Sequence, residues 1–365
     1  MSRDPVLTGT GPVAVAMSGG VDSTAAAVVL RDAGYELSGV TLRLSDDDAS
    51  PAAAAAICDS LGIAHETIDA RAEFRAAVTA PFARAYRSGL TPNPCVDCNE
   101  RVKFGLLARA AASLGAGRLA TGHYARTVRV SGGMALARAG DPAKDQSYFL
   151  YRVPRAALAH VLFPLGELRK HETREIVSRA GLAVPTSRES QDACFLKGLT
   201  VAQYLTQAGE RGPGFEPGPV VARDGTVLGS HRGLVHYTVG QRSGMPASGA
   251  GPLYVVAIDA ERNTIVAGPA QEAASSVVRA RDVIWYGEAE ERVSAQVRAR
   301  MEPVPAVARV SGAGIPGATG RVLTVTFDEP VTAAPGQSVV CYKDDVVIGG
   351  GIVTAGGHAS GGPDA

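Results

Sequence analysis

The first 120 residues alternate short apolar runs with longer segments of helical periodicity. The pattern predicts strands at Val13–Met17, Leu37–Leu44, His65–Asp69 and Arg118–Thr121, and helices at Thr24–Ala33, Pro51–Gly62, Ala72–Ser88 and Val102–Leu114. Such alternation is typical of an α/β domain with a doubly wound, mostly parallel sheet. Because ligands of these folds bind at the carboxyl ends of the strands, functional residues are expected there.

The pattern changes after about Leu199, where a Gly/Pro-rich segment at 209–219 is followed by short strands alone. These are predicted at Val220–Ala222, Val227–Gly229, Tyr254–Ile258, Thr264–Ala267, Val277–Trp285, Ser294–Arg300, Arg321–Phe327, Gln337–Tyr342 and Val346–Val353. Short, closely spaced strands indicate a small barrel, with its last two strands in a hairpin around Lys343–Asp345. We therefore expect an α/β domain at 1–198, a small mixed β domain at 199–272, a C-terminal β-barrel at 273–355 and a disordered tail at 356–365.

The segment Met17–Ser23 (MSGGVDS) connects the first predicted strand to the first predicted helix. A glycine-rich turn at a helix start offers unpaired amides and the positive end of the helix dipole to a phosphate. The hydroxyls of Ser18, Ser23 and Thr24 would add donors. No Gly-Lys-Ser/Thr of a Walker A loop is present, so no lysine is placed for a γ-phosphate. The pattern resembles the phosphate loop (PP-loop) of ATP pyrophosphatases, and the alternative is an ordinary strand-to-helix turn.

Charge and composition narrow the class of protein. The chain has 36 basic and 36 acidic residues and 45% hydrophobic residues, as a globular protein without a general affinity for nucleic acid would. A surface for RNA would have to gather arginines and lysines on one face. The first residues lack the basic start and apolar core of a signal peptide, and we expect a cytoplasmic protein with reduced thiols and no membrane segment.

Cysteines mark a second candidate site. Cys95 and Cys98 lie in the segment TPNPCVDCN, where two prolines predict a rigid loop. Cys98 is expected just ahead of the helix that begins near Val102, whose N-terminus, with Arg101 and Lys103, would favour the thiolate.

The remaining cysteines divide into two kinds. Cys194 lies in a polar, serine-rich segment, whereas Cys58 and Cys341 fall in a predicted helix and strand and are expected to be buried. Zinc is the alternative for the CxxC pair, but a closed zinc site needs four ligands and the sequence has no second Cys/His pair. The pair is therefore not expected to be a zinc site.

Several motifs in one order resemble those of the bacterial tRNA-specific 2-thiouridylases, a family within the PP-loop ATP pyrophosphatase superfamily. The motifs are Met17–Ser23, Thr91–Pro94 with Cys98–Asn99, Ala120–Tyr124, Lys144–Tyr148, Cys194–Phe195, His236–Arg242 and Pro335–Gln337. The resemblance implies ATP-dependent 2-thiolation of the wobble uridine (position 34) of tRNA. The C2 oxygen is adenylated, sulfur arrives from a cysteine persulfide, and AMP and pyrophosphate are released.

The resemblance also implies a role for individual residues. Cys98 would be the nucleophile and Cys194 would carry the persulfide, with a Cys98–Cys194 disulfide as one stage of the cycle. ATP would be bound by Ala16, Met17, Ser18, Gly19, Gly20, Val21, Asp22, Ser23, Leu42 and Gly122, with Asp22 near Mg²⁺. The tRNA would be contacted by Asn93, Pro94, Cys95, His123, Lys144, Asp145, Gln146, Arg298, Ala299, Arg300 and Gln337.

Three of these assignments have alternatives in the residues themselves. His123 could be a capping or core histidine, and Lys144 could lie in a solvated turn. Arg298 and Arg300 would alternate along one face of the predicted strand Ser294–Arg300 and so meet a phosphate backbone, although exposed arginines often serve solubility alone.

Cys95 departs from the family pattern, because many members have an acidic residue at that position. Either proton transfer would then fall to Asp97 or water, or the role of the acidic residue is not essential. The substitution also leaves three candidate thiolates, Cys95, Cys98 and Cys194, which could hold an iron–sulfur cluster with one open iron.

The resemblance implies that the partners are tRNAs for Lys, Glu and Gln and a cysteine desulfurase or sulfur-relay protein. It also implies a monomeric enzyme.

Two other classes of protein are the alternatives. An amide-forming ligase with the same loop would not need the two cysteines, and a non-catalytic tRNA-binding protein would not need an intact phosphate loop.

Overall fold

The computed structural model describes residues 11–47, 49–184, 193–249, 251–312 and 320–355. The predicted tail at 356–365 and the polar residues 187–192 ahead of Cys194 lie outside this range. The chain divides into two compact units. The first contains residues 1–78, 95–189 and 345–347, and the second contains residues 79–94, 190–344 and 348–365.

The first unit is built on a parallel sheet, as predicted. The strands of this unit are β1 (Pro12–Ala16), β2 (Glu36–Arg43), β3 (Ala64–Asp69), β4 (Arg118–Thr121), β5 (Arg126–Val130), β6 (Gly133–Ala137) and β7 (Val161–Leu162). Strands β5 and β6 form an antiparallel pair outside the parallel sheet. The sheet order is β3-β2-β1-β4-β7, with every pair parallel. The chain order reverses between β1 and β4, and a cleft for a ligand is expected at the carboxyl ends of strands at such a point.

Helices connect these strands and supply much of the core. They are Val21–Asp32, Ser50–Leu61, Arg71–Phe74, Ala108–Ser113, Ser147–Leu150, Arg155–Leu158 and Lys170–Arg179, with a π-helical turn at Cys98–Leu107. The π-helical turn Arg75–Thr79 and the helix Pro94–Asp97 cross the boundary between the two units, and the helix Ala80–Arg87 belongs to the second unit. Val13 and Val15 of β1 pack against Leu30 and Ile57 from the first two helices. These apolar positions explain why the first half of the chain could be read from its periodicity.

Two helix starts differ from the predictions. The first helix begins at Val21, three residues before Thr24, so the second half of the phosphate loop is its first turn. Helical structure around the CxxC pair begins at Pro94, well before Val102, and Cys98 therefore lies inside it. The prediction that Cys98 precedes the helix was wrong, because Pro94 is well suited to the first turn of a helix and starts it early.

The second unit contains a small mixed sheet and a closed barrel. Its strands are β8 (Gly218–Val221), β9 (Val227–His231), β10 (Tyr254–Asp259), β11 (Thr264–Gly268), β12 (Ser275–Trp285), β13 (Glu290–Gln296), β14 (Val304–Ser311), β15 (Val322–Val331), β16 (Ser338–Lys343) and β17 (Val346–Val353). The small sheet has the order β10-β11-β8-β9. The barrel runs β12-β15-β14-β13-β16-β17 and closes through pairing of β12 with β17. The helix Val201–Gln207 precedes both.

The barrel corrects two sequence predictions. The strand predicted at Ser294–Arg300 ends at Gln296, so Arg298, Ala299 and Arg300 form a turn and do not alternate along a strand face. Strand β14 was missed because prolines flank its start. Pro305 is tolerated because β14 pairs there with β13 alone, and its pairing with β15 begins at Ala306.

Candidate active site

The phosphate loop is braced by hydroxyls of its own residues. The amide of Ser18 donates to Ser23 Oγ (3.1 Å), and the hydroxyls of Ser23 and Thr24 donate to the carbonyl of Gly20 (3.0 and 2.9 Å). These two hydroxyls shape the loop in this structure, their role as ligand donors stays a prediction, and Ser18 is exposed. Helix Val21–Asp32 starts without a side-chain cap, so its first amides stay available for an anion.

Close backbone packing explains one glycine of the loop and one that faces the loop from the end of β4. Gly19 has φ +75°, and a Cβ there would lie 2.6 Å from the Cβ of Ala53. Gly122 follows β4, and a Cβ on it would lie 2.8 Å from the carbonyl carbon of Asp22 and the amide nitrogen of Ser23. The ends of β1 and β4 therefore meet, and Leu42 is the last residue but one of β2, on the other side of β1. The structure brings all the predicted ATP residues to one edge of the sheet.

Lys170 is a residue of this site that the sequence did not reveal. Its Nζ lies 2.7 and 2.9 Å from the two carboxylate oxygens of Asp22, and its side chain is only 12% exposed. The hydroxyl of Tyr124 lies 2.9 Å from both Asp22 Oδ1 and Thr173 Oγ1. No motif near the loop signals this lysine, because it starts a helix 148 residues later in the chain. It places a cation beside Asp22, in a loop whose own sequence contains no lysine.

The base of the loop is tied to the neighbouring strands. Thr41 Oγ1 donates to the carbonyl of Met17 (2.7 Å) and lies 2.8 Å from Nε2 of His65. Since the Thr41 hydroxyl proton goes to Met17, the His65 ring must donate through Nε2. Burial lowers the pKa of His65, which favours the neutral ring. This contact holds the chain where β1 enters the loop.

His123 follows Gly122 and is held as a neutral ring. Its Nδ1 lies 2.9 Å from Thr121 Oγ1, and its ring packs against Phe104 and Phe163 at centroid distances of 5.9 and 6.4 Å. Burial, with a smaller contribution from the cation of Lys103, holds the pKa of His123 well below its usual range. A neutral imidazole can offer a hydrogen bond to a ligand but cannot form an ion pair with a phosphate.

The predicted tRNA segment 144–146 is bound internally through two of its side chains. The carboxylate of Asp145 accepts bonds from the amide of Ala139 (2.9 Å) and the hydroxyl of Ser147 (2.7 Å), and it is only 7% exposed. Gln146 Oε1 accepts from the amide of Tyr124, and the Gln146 amide donates to the Tyr124 carbonyl. These two side chains stabilise the segment, and all three of its residues are partly exposed.

The cysteines differ in exposure. Cys98 is buried at 6% exposure in the π-helical turn, Cys95 is partly exposed in the preceding helical turn, and Cys194 is exposed. Cys58 and Cys341 are buried as predicted, and burial raises the pKa of Cys58 to about 11 and that of Cys341 still further. The structure describes all five cysteines, and none of them is in a disulfide, so the Cys98–Cys194 bond is not formed.

Metal ligands do not converge in the described parts of the chain. Among those residues, no group of three or more His, Cys, Asp or Glu side chains is arranged to hold a metal ion. The hypothesis of an iron–sulfur cluster on Cys95, Cys98 and Cys194 therefore has no support.

The remaining predicted tRNA contacts lie in the second unit. Arg298 and Arg300 are exposed in the turn after β13, and the amide of the buried Gln296 donates to the carbonyls of Arg298 and Ala299 (3.0 Å each). Asn93 and Pro94 are partly exposed. The amide of Gln337 donates to the carbonyl of Thr91 (3.0 Å), so this side chain is engaged within the protein.

One open cavity of about 460 Å³ has a different position. It is lined by residues at the amino ends of β1 and β4, including Pro12 and Arg118. Since the phosphate loop lies at the carboxyl ends of the same strands, this cavity is not part of the candidate site. Among the described residues, none of the helices combines the length and apolar character needed to cross a membrane.

The parallel sheet, the braced loop and the two β domains define a nucleotide-binding protein of the PP-loop class. Three family models match in the same order: "tRNA methyl transferase HUP domain" at residues 11–198, "tRNA methyl transferase PRC-barrel domain" at 210–269 and "Aminomethyltransferase beta-barrel domain" at 275–353.

Curated relatives match over nearly the whole chain. A protein of Rhodospirillum rubrum named tRNA-specific 2-thiouridylase MnmA is 42% identical over 94% of this chain and 96% of its own length. One of Moorella thermoacetica with the same name is also 42% identical, over 93% of this chain and 98% of its own. The chain belongs to the tRNA-specific 2-thiouridylase family. A solved structure of a 4-thiouridine synthetase in complex with RNA and ATP is 17% identical over 47% of this chain and 41% of its own length, with a TM-score of 0.33.

Proposed function

We propose that this chain catalyses the ATP-dependent 2-thiolation of the wobble uridine of tRNA. The observation that carries the proposal is the near-full-length match to relatives named tRNA-specific 2-thiouridylases, in a chain that keeps the phosphate loop and both candidate cysteines. That match covers the β domains as well, and it disfavours an amide-forming ligase or a non-catalytic tRNA-binding protein.

The residues around the loop fit ATP. Amides of the first helical turn and the cation of Lys170 supply positive charge at one edge of the sheet, and the backbone of Leu42 and Gly122 borders the same edge. Asp22 is the carboxylate that would hold Mg²⁺, and Lys170 is then the cation that faces the phosphates. Binding there would present the α-phosphate to the C2 oxygen of the uridine, which becomes a good leaving group once adenylated.

The two cysteines differ in the way that sulfur transfer requires. Cys194 is exposed and can accept sulfane sulfur from a cysteine desulfurase or relay protein, whereas Cys98 is buried in a helical turn. The Cys98 thiolate attacks the inner sulfur of the Cys194 persulfide and forms a disulfide, and hydrosulfide leaves. Hydrosulfide adds to C2 of the adenylated uridine, and AMP departs. A thiol reductant then returns two electrons to the disulfide.

The Cys98 helix reaches the ATP edge of the first unit. Phe104, in the same π-helical turn as Cys98, packs on His123, which directly follows Gly122. This arrangement supports a target base received near Asn93, Pro94 and Cys95.

The exposed side chains supply the remaining contacts of the proposal. Lys144, Arg298 and Arg300 would meet the tRNA backbone, beside Ala299. The substrates would be tRNAs for Lys, Glu and Gln. The enzyme would be a monomer, and it would act in the cytosol because tRNA and a thiol reductant are found in that compartment.

A single-turnover assay with tRNA transcript, ATP and a persulfide donor tests this function. Cys98→Ala and Cys194→Ala should each abolish 2-thiouridine while tRNA binding is kept, because each removes a sulfur that the reaction uses. Cys58→Ala, a buried thiol without an assigned role, serves as the control and should keep activity. Full thiolation by either variant would reject the cysteine roles, and no thiolation by the wild-type protein would reject the function.

A further inference from the structure

A three-residue stretch of the barrel, Pro335–Gln337, binds the backbone of Thr91 on both sides. The Thr91 amide donates to the carbonyl of Pro335 (2.8 Å). The side-chain amide of Gln337 donates to the carbonyl of Thr91 (3.0 Å) and lies 3.4 Å from that of Pro92. Two consecutive residues of a loop are thus held by one remote segment of the same unit.

The fit at this contact is so tight that a side chain on Gly336 would require Thr91 to shift by a few tenths of an ångström. Gly336 has φ +93°, and a Cβ on it would lie 3.0 Å from both the amide nitrogen and the carbonyl oxygen of Thr91. The stretch is itself fixed to the barrel, since the Gly336 amide donates to the Val353 carbonyl (2.9 Å) and the Val353 amide donates to the Gln337 carbonyl (2.8 Å). Thr91 therefore packs on a rigid support.

The small β domain adds a third support. The hydroxyl of Thr91 donates to the hydroxyl of Thr238 (3.1 Å), which lies in the motif between β9 and β10. Two residues further on, a Cβ at Gly240 would lie 2.7 Å from Cγ2 of Thr332 in the barrel. The domains that follow the α/β domain thus converge on Thr91.

The chain transmits this position over a short distance. Cys95 lies three residues after Pro92, and Cys98 lies six residues after it. Pro92 and Pro94 restrict the intervening backbone, so a displacement at Thr91 is passed on to the start of the helix at Pro94.

We propose that Pro335–Gln337 is a positioning element for the segment that carries Cys95 and Cys98, and that it acts through Thr91 and Pro92. Gln337 then serves catalysis by holding this loop, and its side-chain amide is committed to the loop before any tRNA binds. The catalytic role of the segment rests on the proposed function, whereas its placement by the barrel does not.

Two variants and one matched control test the proposal. Gln337→Met keeps the length of the side chain and removes the donor, and Gly336→Ala pushes a methyl group against Thr91. Gly225→Ala is the control, because Gly225 lies in the same unit with a similar φ of +89° but has nothing within 4 Å of a Cβ. All three are compared with the wild-type protein.

The first readout needs no tRNA. Iodoacetamide labelling, followed by peptide mass spectrometry, measures the reactivity of each cysteine. In Gly336→Ala and Gln337→Met we expect the labelling rates of Cys95 and Cys98 to change about threefold or more, and Gly225→Ala to match the wild-type protein. Cys58 and Cys341 should stay unlabelled in all four proteins, because both thiols are buried and burial raises their pKa. Labelling of Cys58 would report unfolding of the sheet, and labelling of Cys341 would report unfolding of the barrel.

The second readout separates positioning from direct contact with tRNA. We expect kcat for thiolation to fall about 10- to 100-fold in Gly336→Ala and Gln337→Met, with KM for tRNA unchanged within about twofold. Unchanged labelling of Cys95 and Cys98, or a loss confined to KM, would overturn the proposal. Absence of thiolation by the wild-type protein would reject the proposed function, while the labelling result would still decide the placement by the barrel.

Discussion

The phosphate loop and the segment that carries Cys95 and Cys98 are held in different ways. The loop is braced by bonds between residues a few positions apart, such as Ser18 with Ser23. Thr91, at the entry to the cysteine segment, is held by Thr238 and Gln337, which lie 147 and 246 positions after it in the chain. A local brace uses residues of the same short segment, whereas a remote brace requires the domain that supplies it to be folded. Nucleotide binding and sulfur transfer should therefore respond to different substitutions.

The largest effect is expected where the loop meets β4. Gly122→Ala places a methyl group 2.8 Å from the backbone of Asp22 and Ser23, which must move. ATP affinity, measured by calorimetry, should fall about 10- to 100-fold, because overpacking costs about 1–3 kcal/mol. The labelling rate of Cys95 should stay unchanged, which would confirm that the two regions are separable.

Gly117→Ala is the matched control for this substitution. Gly117 precedes the same strand, β4, and nothing lies within 4 Å of a Cβ there. Its ATP affinity should equal that of the wild-type protein. An ATP affinity within twofold of wild type in Gly122→Ala would contradict the assigned loop geometry.

The same contrast explains what the sequence could predict. The turn that joins β1 to the first helix, the parallel sheet and the burial of Cys58 and Cys341 follow from local patterns and were predicted correctly. The early helix start at Pro94 does not follow from the local pattern, because two prolines so close together are also typical of a rigid loop. Lys170 could not be found in this way, since its partner Asp22 lies 148 positions away and only the folded chain pairs them.

Lys170 is a remote support of the phosphate loop, whose other side-chain bonds are mostly local. Lys170→Met should raise the Kd for ATP about 10-fold, as it removes a cation from the phosphate edge and leaves the Asp22 carboxylate uncompensated. Lys170→Arg should recover part of the affinity. Calorimetric titration with ATP measures both.

A second substitution tests whether Lys170 and Asp22 act as a unit. In the double variant Asp22→Asn/Lys170→Met, the loss of ATP affinity should be smaller than the sum of the two single losses, because residues in one ion pair are coupled. Lys343→Met, which removes an exposed lysine that pairs with Glu291, should leave ATP affinity unchanged. Additive losses would show that Lys170 acts independently of the loop.

The smallest effect is expected from the pKa of His123, next to Gly122. An unfolded imidazole titrates near pH 6.5, whereas burial keeps the pKa of folded His123 well below that value. Below about pH 6.5 the unfolded chain binds a proton that the folded protein refuses, so the free energy of unfolding decreases as the pH falls. Between pH 7.5 and 5.5 this loss should be about 1 kcal/mol, and His123→Gln should remove it. Thermal unfolding followed by circular dichroism at the two pH values measures the difference, and an NMR titration in which His123 gains its proton near pH 6.5 would contradict the neutral ring.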